Sequence, residues 1–301
     1  MSNQNKMLLS IFLFFLLGLS SVANASERVV NRLRIDGMTR YYVAYIPDNI
    51  KTMSNPPALF VWHPGFSNAE SMERISKFHE YPESQSYVLV YPNGYKRAWN
   101  IGYCCGKALE DNIDDLKFYK AILIDLKKRY NIAPQIYTTG YSNGAMMSYH
   151  IMCNAPETIA AVATFAASYK VDKQSCPLNK PIPLFHFHGL LDETAPIEGG
   201  LEKTLTGKLV QHYKPAEITQ TIAQNNDCKN KDSITVLKTN CTHYSKCDKN
   251  ADVTFCPISD LGHVWPGYAP KRWEQKLFGK GRTDIDGTKE VLEFFDTVRS
   301  H

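Results

Sequence analysis

Gln135-Ile136-Tyr137-Thr138-Thr139-Gly140-Tyr141-Ser142-Asn143-Gly144-Ala145-Met146-Met147 is the stretch on which the reading of this chain turns. Its first five residues are rich in β-branched and aromatic side chains and suit a short buried strand. Ala145 to Met152 lacks Gly and Pro and suits a helix. Between them, Gly140-Tyr141-Ser142-Asn143-Gly144 has the Gly-x-Ser-x-Gly pattern of a strand-to-helix turn with a strained serine at its apex. Small residues two places either side keep the backbone from clashing. The serine hydroxyl then stands clear of the sheet, within reach of a base. That context implies a nucleophilic serine and an acyl-enzyme step.

Whole-chain properties narrow the setting. Lys6 precedes an apolar run from Met7 to Leu19 that ends in Ala23-Asn24-Ala25. This predicts a secretory signal peptide over residues 1–25, cut after Ala25, and a secreted or periplasmic protein. The run is short for a membrane span, and no second run is long enough. Residues 26–301 suffice for one large α/β domain. Lys plus Arg is 34 and Asp plus Glu is 30, a net charge of +4 that is scattered along the chain. No basic or aromatic-basic stripe points to nucleic acid, and neither a membrane nor an obligate protein partner is indicated. The eight cysteines all fall after the leader, which suits disulfides in an oxidising compartment. No Cys-x-x-Cys pair suggests zinc. Spacing alone does not fix connectivity; the working assignment joins Cys153 to Cys176, Cys228 to Cys247, and Cys241 to Cys256. Adjacent Cys104 and Cys105 are left as a vicinal disulfide or as free thiols.

Strand-like runs appear at Thr39–Ile46, Pro57–Trp62, Tyr87–Tyr91, Ile159–Phe165, Ile182–Phe187 and Val253–Ile258. Asp114–Tyr130 repeats apolar residues at helical spacing, with Asp111 and Asn112 as plausible caps, and Thr288–Val298 reads as a closing helix. This alternation predicts a mostly parallel sheet with helices on both faces. Glu193 to Asn250 is polar and lysine-rich, and reads as an insertion (residues 193–250) with a helix near Ala216–Asn226.

A serine nucleophile needs a base, and the base needs an orienting acid. His150 lies in the helix behind the serine, His186 and His188 precede any suitable acid, and His212 and His243 fall in the insertion. His263 follows the last strand in Leu261-Gly262-His263-Val264-Trp265-Pro266-Gly267, a loop suited to the carboxyl edge of a sheet. Asp192, in His188-Gly189-Leu190-Leu191-Asp192, leaves another strand end and is the expected acid, with Glu193 as competitor. An oxyanion hole needs two N–H donors. Asn143 is one. The second falls in His63-Pro64-Gly65-Phe66-Ser67, where Pro64 has no N–H; Gly65 or Phe66 must serve, and Phe66 is favoured.

Together these pieces resemble the secreted polyhydroxybutyrate depolymerase and feruloyl esterase group of the α/β-hydrolase superfamily. The likeness is carried by Tyr91-Pro92-Asn93-Gly94 through Trp99-Asn100, Cys104-Cys105-Gly106, Gly140 to Met147, His188 to Asp192, and Gly262 to Gly267. It implies an α/β-hydrolase fold, a triad of Ser142, Asp192 and His263, and cofactor-free, metal-free hydrolysis of carboxylic esters. The implied substrates are feruloyl or acetyl esters of polysaccharide, or short 3-hydroxyalkanoate oligomers. Trp265 and Trp99 are candidate substrate-binding residues. The chain departs from the group at His63-Pro64-Gly65, where the group shows His-Gly directly. Rival readings are a peptidase or general short-chain esterase on the same fold, a non-catalytic secreted binder, and a metal-dependent hydrolase.

Overall fold

Continuous apolar runs become the central strands, because a strand covered on both faces needs apolar residues at every position. In the computed structural model, which describes residues 26–172, 176–203, 207 and 209–300, Ala58–Trp62 forms a strand with all five residues buried. The signal-peptide assignment to residues 1–25 falls outside the described residues.

In chain order the elements are β1 (Ser26–Ile35), β2 (Met38–Pro47), β3 (Ala58–Trp62), α1 (Ala69–Ser76), β4 (Val88–Pro92), α2 (Gly106–Glu110), α3 (Asp115–Tyr130), β5 (Ile136–Tyr141), α4 (Asn143–Asn154), β6 (Ile159–Phe165) and β7 (Leu184–Gly189). They continue with β8 (Gly200–Lys203), β9 (Leu209–His212), α5 (Pro215–Asn225), β10 (Asn230–Val236), β11 (Thr239–Ser245), β12 (Val253–Ile258), α6 (Arg272–Phe278) and α7 (Gly287–Arg299). The main sheet has ten strands in the order β1-β2-β4-β3-β5-β6-β7-β12-β11-β10. Its centre, β4 through β12, is parallel. The two strands at each edge run antiparallel. The expected mostly parallel sheet is therefore present.

Side-chain alternation splits the core into two layers. Phe60 and Trp62 point to one face, with Phe118 and Ile122 of α3, Met147 and Ile151 of α4, and Ile222 of α5. Leu59 and Val61 point to the other, with Met72 of α1 and Leu292 and Phe295 of α7. Within residues 193–250, α5 covers the sheet while β10 and β11 extend it, and β8 and β9 form a separate hairpin. The polar exposed face of β10 concealed that strand from the sequence reading.

The capping of α3 corrects an expectation. Its N-cap is Asp114, whose carboxylate accepts from the Lys117 N–H, rather than Asp111 or Asn112. All eight cysteines are paired: Cys153–Cys176, Cys228–Cys247, Cys241–Cys256, and the vicinal Cys104–Cys105, whose peptide bond is cis.

One buried ion pair ties the edge of the sheet to the loops above it. Arg40 of β2 meets Asp115 of α3 at 2.8 Å, and Arg40 stacks on the Phe118 ring at 4.1 Å. Asp115 also accepts from the Asn100 N–H, and Arg40 donates to the Asn93 carbonyl. Burial pushes the Asp115 carboxyl up, against the pull of Arg40. Removing one partner strands a buried charge. Asp115→Ala is therefore expected to cost about 3–5 kcal/mol in urea unfolding; a loss below about 1 kcal/mol would mean that the pair is solvated and unimportant.

Candidate active site

The turn after β5 has the geometry its glycines foretold. Ser142 sits at φ 56°, ψ −124°, a costly conformation for a residue with a Cβ. A Cβ on Gly140 would strike the Gly144 carbonyl and the Ala145 nitrogen, and one on Gly144 would strike the Trp62 and His63 carbonyls. Only glycine lets the helix pack this close to β3 and β5. The Ser142 N–H bonds to the Phe165 carbonyl at 2.9 Å, pinning the turn to β6.

Two further strand ends bring their side chains to this serine. The loop after β12 carries His263, and its Nε2 lies 2.8 Å from Ser142 Oγ. The loop after β7 carries Asp192, and its Oδ2 lies 2.7 Å from His263 Nδ1. The carboxylate fixes the tautomer: Nδ1–H donates to Asp192, so Nε2 is free to accept the serine proton. Burial by itself would raise the Asp192 carboxyl. The imidazoles of His263 and His188 outweigh it and hold the carboxyl below the usual carboxylate range. Its Oδ1 accepts from the N–H groups of Thr194 and Ala195 at 2.9 and 2.8 Å. Glu193, the competing acid, is exposed.

His263 is held from several sides. Its N–H bonds to the Phe278 carbonyl at 2.7 Å, and the Gly262 N–H bonds to Lys280 O at 2.8 Å. The Tyr141 hydroxyl donates to the His263 carbonyl.

The wall opposite His263 is built on buried hydrogen bonds. Asn143 Oδ1 accepts from the Trp99 N–H at 2.8 Å and its Nδ2 donates to the Trp99 carbonyl at 3.2 Å. His63 donates from Nδ1 to the Pro64 carbonyl and accepts at Nε2 from the Gly94 N–H at 2.8 Å. A Cβ on Gly65 would lie 3.7 Å from the Asn143 Cβ, so Gly65 runs beside the start of α4.

Three expectations are corrected here. The Phe66 N–H bonds to the Arg97 carbonyl at 2.8 Å, so it has no proton to offer an oxyanion. Gly65 is the donor that remains in that loop. Trp265 is 1% exposed, and its indole N–H bonds to Thr288 Oγ1 among Phe78, Phe165 and Phe187. A cavity of about 280 Å³ borders Trp265 with Lys77, Tyr81 and Asp286, and none of Ser142, Asp192 or His263 lines it. Trp99 is fully buried, its indole donating to the His63 carbonyl. Both tryptophans hold loops in place and present no face to a substrate.

Comparison with known proteins fits this geometry. The chain matches no protein-family model. An acetyl xylan esterase from Aspergillus awamori superposes with a TM-score of 0.54 at 13% identity, covering 88% of this chain and 99% of that one.

The fold is that of the α/β-hydrolases.

Among curated relatives of this chain, feruloyl esterase B of Piromyces equi is 26% identical over 75% of this chain and 42% of its own length. A bifunctional acetylxylan esterase/xylanase of Neocallimastix patriciarum is 25% identical over 76% of this chain and 32% of its own. A probable feruloyl esterase C of Aspergillus niger is 27% identical over 64% and 73%. The chain thus spans less than half the length of the first two.

Burial pushes His63 down to about 4 from an ordinary 6.5. His150, in α4 beside the Tyr169 hydroxyl, is likewise pushed down to about 4. Unfolded, both take up protons that the native state refuses, so stability falls as pH drops from 6.5 toward 4. His63→Gln keeps an acceptor for Gly94 but does not titrate. Calorimetry is expected to show its stability falling less steeply in that window, by about one proton of uptake; identical slopes would refute the assignment.

Proposed function

We propose that this protein is a serine esterase that hydrolyses feruloyl or acetyl esters of polysaccharide through an acyl-enzyme. The observation that carries the reading is the unbroken hydrogen-bond line Ser142–His263–Asp192 at 2.8 and 2.7 Å. Names of sequence relatives, feruloyl esterase and acetylxylan esterase, favour polysaccharide esters over 3-hydroxyalkanoate oligomers.

In this reading Ser142 Oγ attacks the ester carbonyl carbon while its proton passes to His263 Nε2. Asp192 stabilises the imidazolium so formed without taking the proton. Charge gathers on the carbonyl oxygen, which the N–H groups of Asn143 and Gly65 receive. Asn143 opens α4, so its N–H has no partner within the helix. Collapse expels the alcohol, protonated by His263. A water then gives its proton to His263, attacks the acyl carbon, and releases the acid and Ser142.

Residues 26–301 act as one catalytic unit with residues 193–250 as an insertion, preceded by a leader over residues 1–25. Export to an oxidising compartment agrees with the fully paired cysteines. Among the described residues no helix is long and apolar enough to cross a membrane.

The test is product release from methyl ferulate, acetylated xylan and 3-hydroxybutyrate oligomers, with Ser142→Ala as control. Hydrolysis of the first two is expected, with kcat lowered at least about a thousandfold in the variant. Preference for the oligomers would overturn the substrate assignment. No ester turnover by the unaltered protein would favour a non-catalytic binder.

A further inference from the structure

Two buried histidines behind Asp192 have no part in the chemistry above. We propose that His188 is a positioning residue for the Asp192 carboxylate and that His186 holds His188 in the tautomer this requires. The proposal takes Ser142, His263 and Asp192 to be the working site.

The tautomers follow from the partners. His188 Nε2 lies 2.7 Å from the Ala195 carbonyl, which can only accept, so Nε2 carries the proton. The same N–H lies 3.4 Å from Asp192 Oδ2, the oxygen that receives His263. His188 Nδ1 faces His186 Nε2 at 3.3 Å. With His188 neutral, its Nδ1 is bare and accepts, and His186 Nε2 donates. His186 Nδ1 is then bare as well, and it faces two hydroxyls, Tyr149 at 2.8 Å and Thr164 at 2.9 Å. Thr164 also reaches the Tyr149 hydroxyl at 3.2 Å. A single direction of donation satisfies the whole line: hydroxyl to His186, His186 to His188, His188 to the Asp192 turn. Every side chain in it is buried, so a reversed tautomer would leave a buried donor or acceptor unmatched.

This line does two things for Asp192. By holding the Ala195 carbonyl, His188 closes the turn whose Thr194 and Ala195 N–H groups grip Oδ1. By aiming its N–H near Oδ2, it withdraws some negative charge from the oxygen that faces His263. Other ionisable groups facing Asp192 and His263 are few. Tyr141 of β5 gives its hydroxyl to the His263 carbonyl, and Glu274 of α6 is occupied by Tyr268 and the Lys271 N–H. Burial drives His186 well below the ordinary imidazole range, which keeps it neutral. The line ends at the buried hydroxyls of Tyr149 and Thr164, so its role is to orient Asp192.

The experiment uses the full mature protein, with histidines labelled by ¹⁵N. In the unaltered protein, NMR is expected to find His188 protonated at Nε2 and bare at Nδ1. A proton on His188 Nδ1 would overturn the proposal without any variant. His188→Leu removes the donor, so Asp192 should hold the His263 proton more tightly. The His263 pKa is then expected to rise by about half a unit or more, and kcat to fall about ten- to hundredfold with KM little changed. His188→Gln, which keeps an N–H at the same reach, should restore most of both. An unmoved His263 pKa in a folded His188→Leu protein, or equal losses in both variants, would reduce His188 to a packing residue. The NMR readouts need no substrate. Failure of the esterase reading would appear separately, as absent turnover in the unaltered protein.

Discussion

The backbone of Ser142 is the constraint on which the site depends. A residue with a Cβ is held at φ 56°, and nothing within the turn itself favours that. Surroundings impose it: the Ser142 N–H bond to β6, the close approach of α4 to β3, and two glycines that permit the approach. The local cost is met by buried strands and helices on both sides of the sheet. In return the hydroxyl projects beyond the carboxyl ends of the parallel strands, where the loops after β7 and β12 also emerge. Parallel topology thereby makes three side chains distant in sequence into neighbours in space.

The same turn organises the opposite wall. Asn143 follows the serine and clamps the Trp99 backbone through both ends of its amide. Trp99 grips the His63 carbonyl, and His63 in turn receives Gly94. Asn100, next along, caps onto Asp115, whose charge is answered by Arg40. A buried polar chain thus runs from β2 to Ser142. Each link is satisfied, which matters because an unmet donor in this low-dielectric setting would cost more than the bond gains. Ser142 and the wall proposed to receive the oxyanion share supports, so movement in one disturbs the other.

Much of this was legible in sequence where the information is local. Gly140, Ser142 and Gly144 encode their turn through sterics that five residues contain. The central strands announced themselves because burial on two faces demands uninterrupted apolar runs, and Asp192 and His263 could be placed because each directly follows such a run. What escaped depends on contacts between distant segments. Phe66 lost its donor role to the Arg97 carbonyl, 31 residues on, which no local pattern reports. Trp265 and Trp99 stand beside motif residues, yet tertiary packing turned both inward. Strand β10 is largely polar because only Ile234 and Val236 at its far end pack on the core, and the ladder to β11 holds the rest. His188 was set aside for preceding the acid in chain order. That rule governs the base and says nothing of a residue that acts upon the acid.

Reaction and selectivity are therefore written in different parts of this molecule. Asp192 and His263 are 5% and 3% exposed, and Tyr141, packed on the His263 ring, is buried with them. In the proposed reaction these buried residues meet the ester carbonyl and each other, and little of the substrate beyond it. Under the proposed esterase reading, selection among acyl groups falls to side chains that remain accessible, such as Phe66 and Leu191, which are 56% and 51% exposed and adjoin Gly65 and Asp192 in sequence. Residues of that kind are free of the packing demands that fix the buried ones. They can change without disturbing the strained turn beneath them, so the chemistry is read more readily from sequence than the substrate it serves.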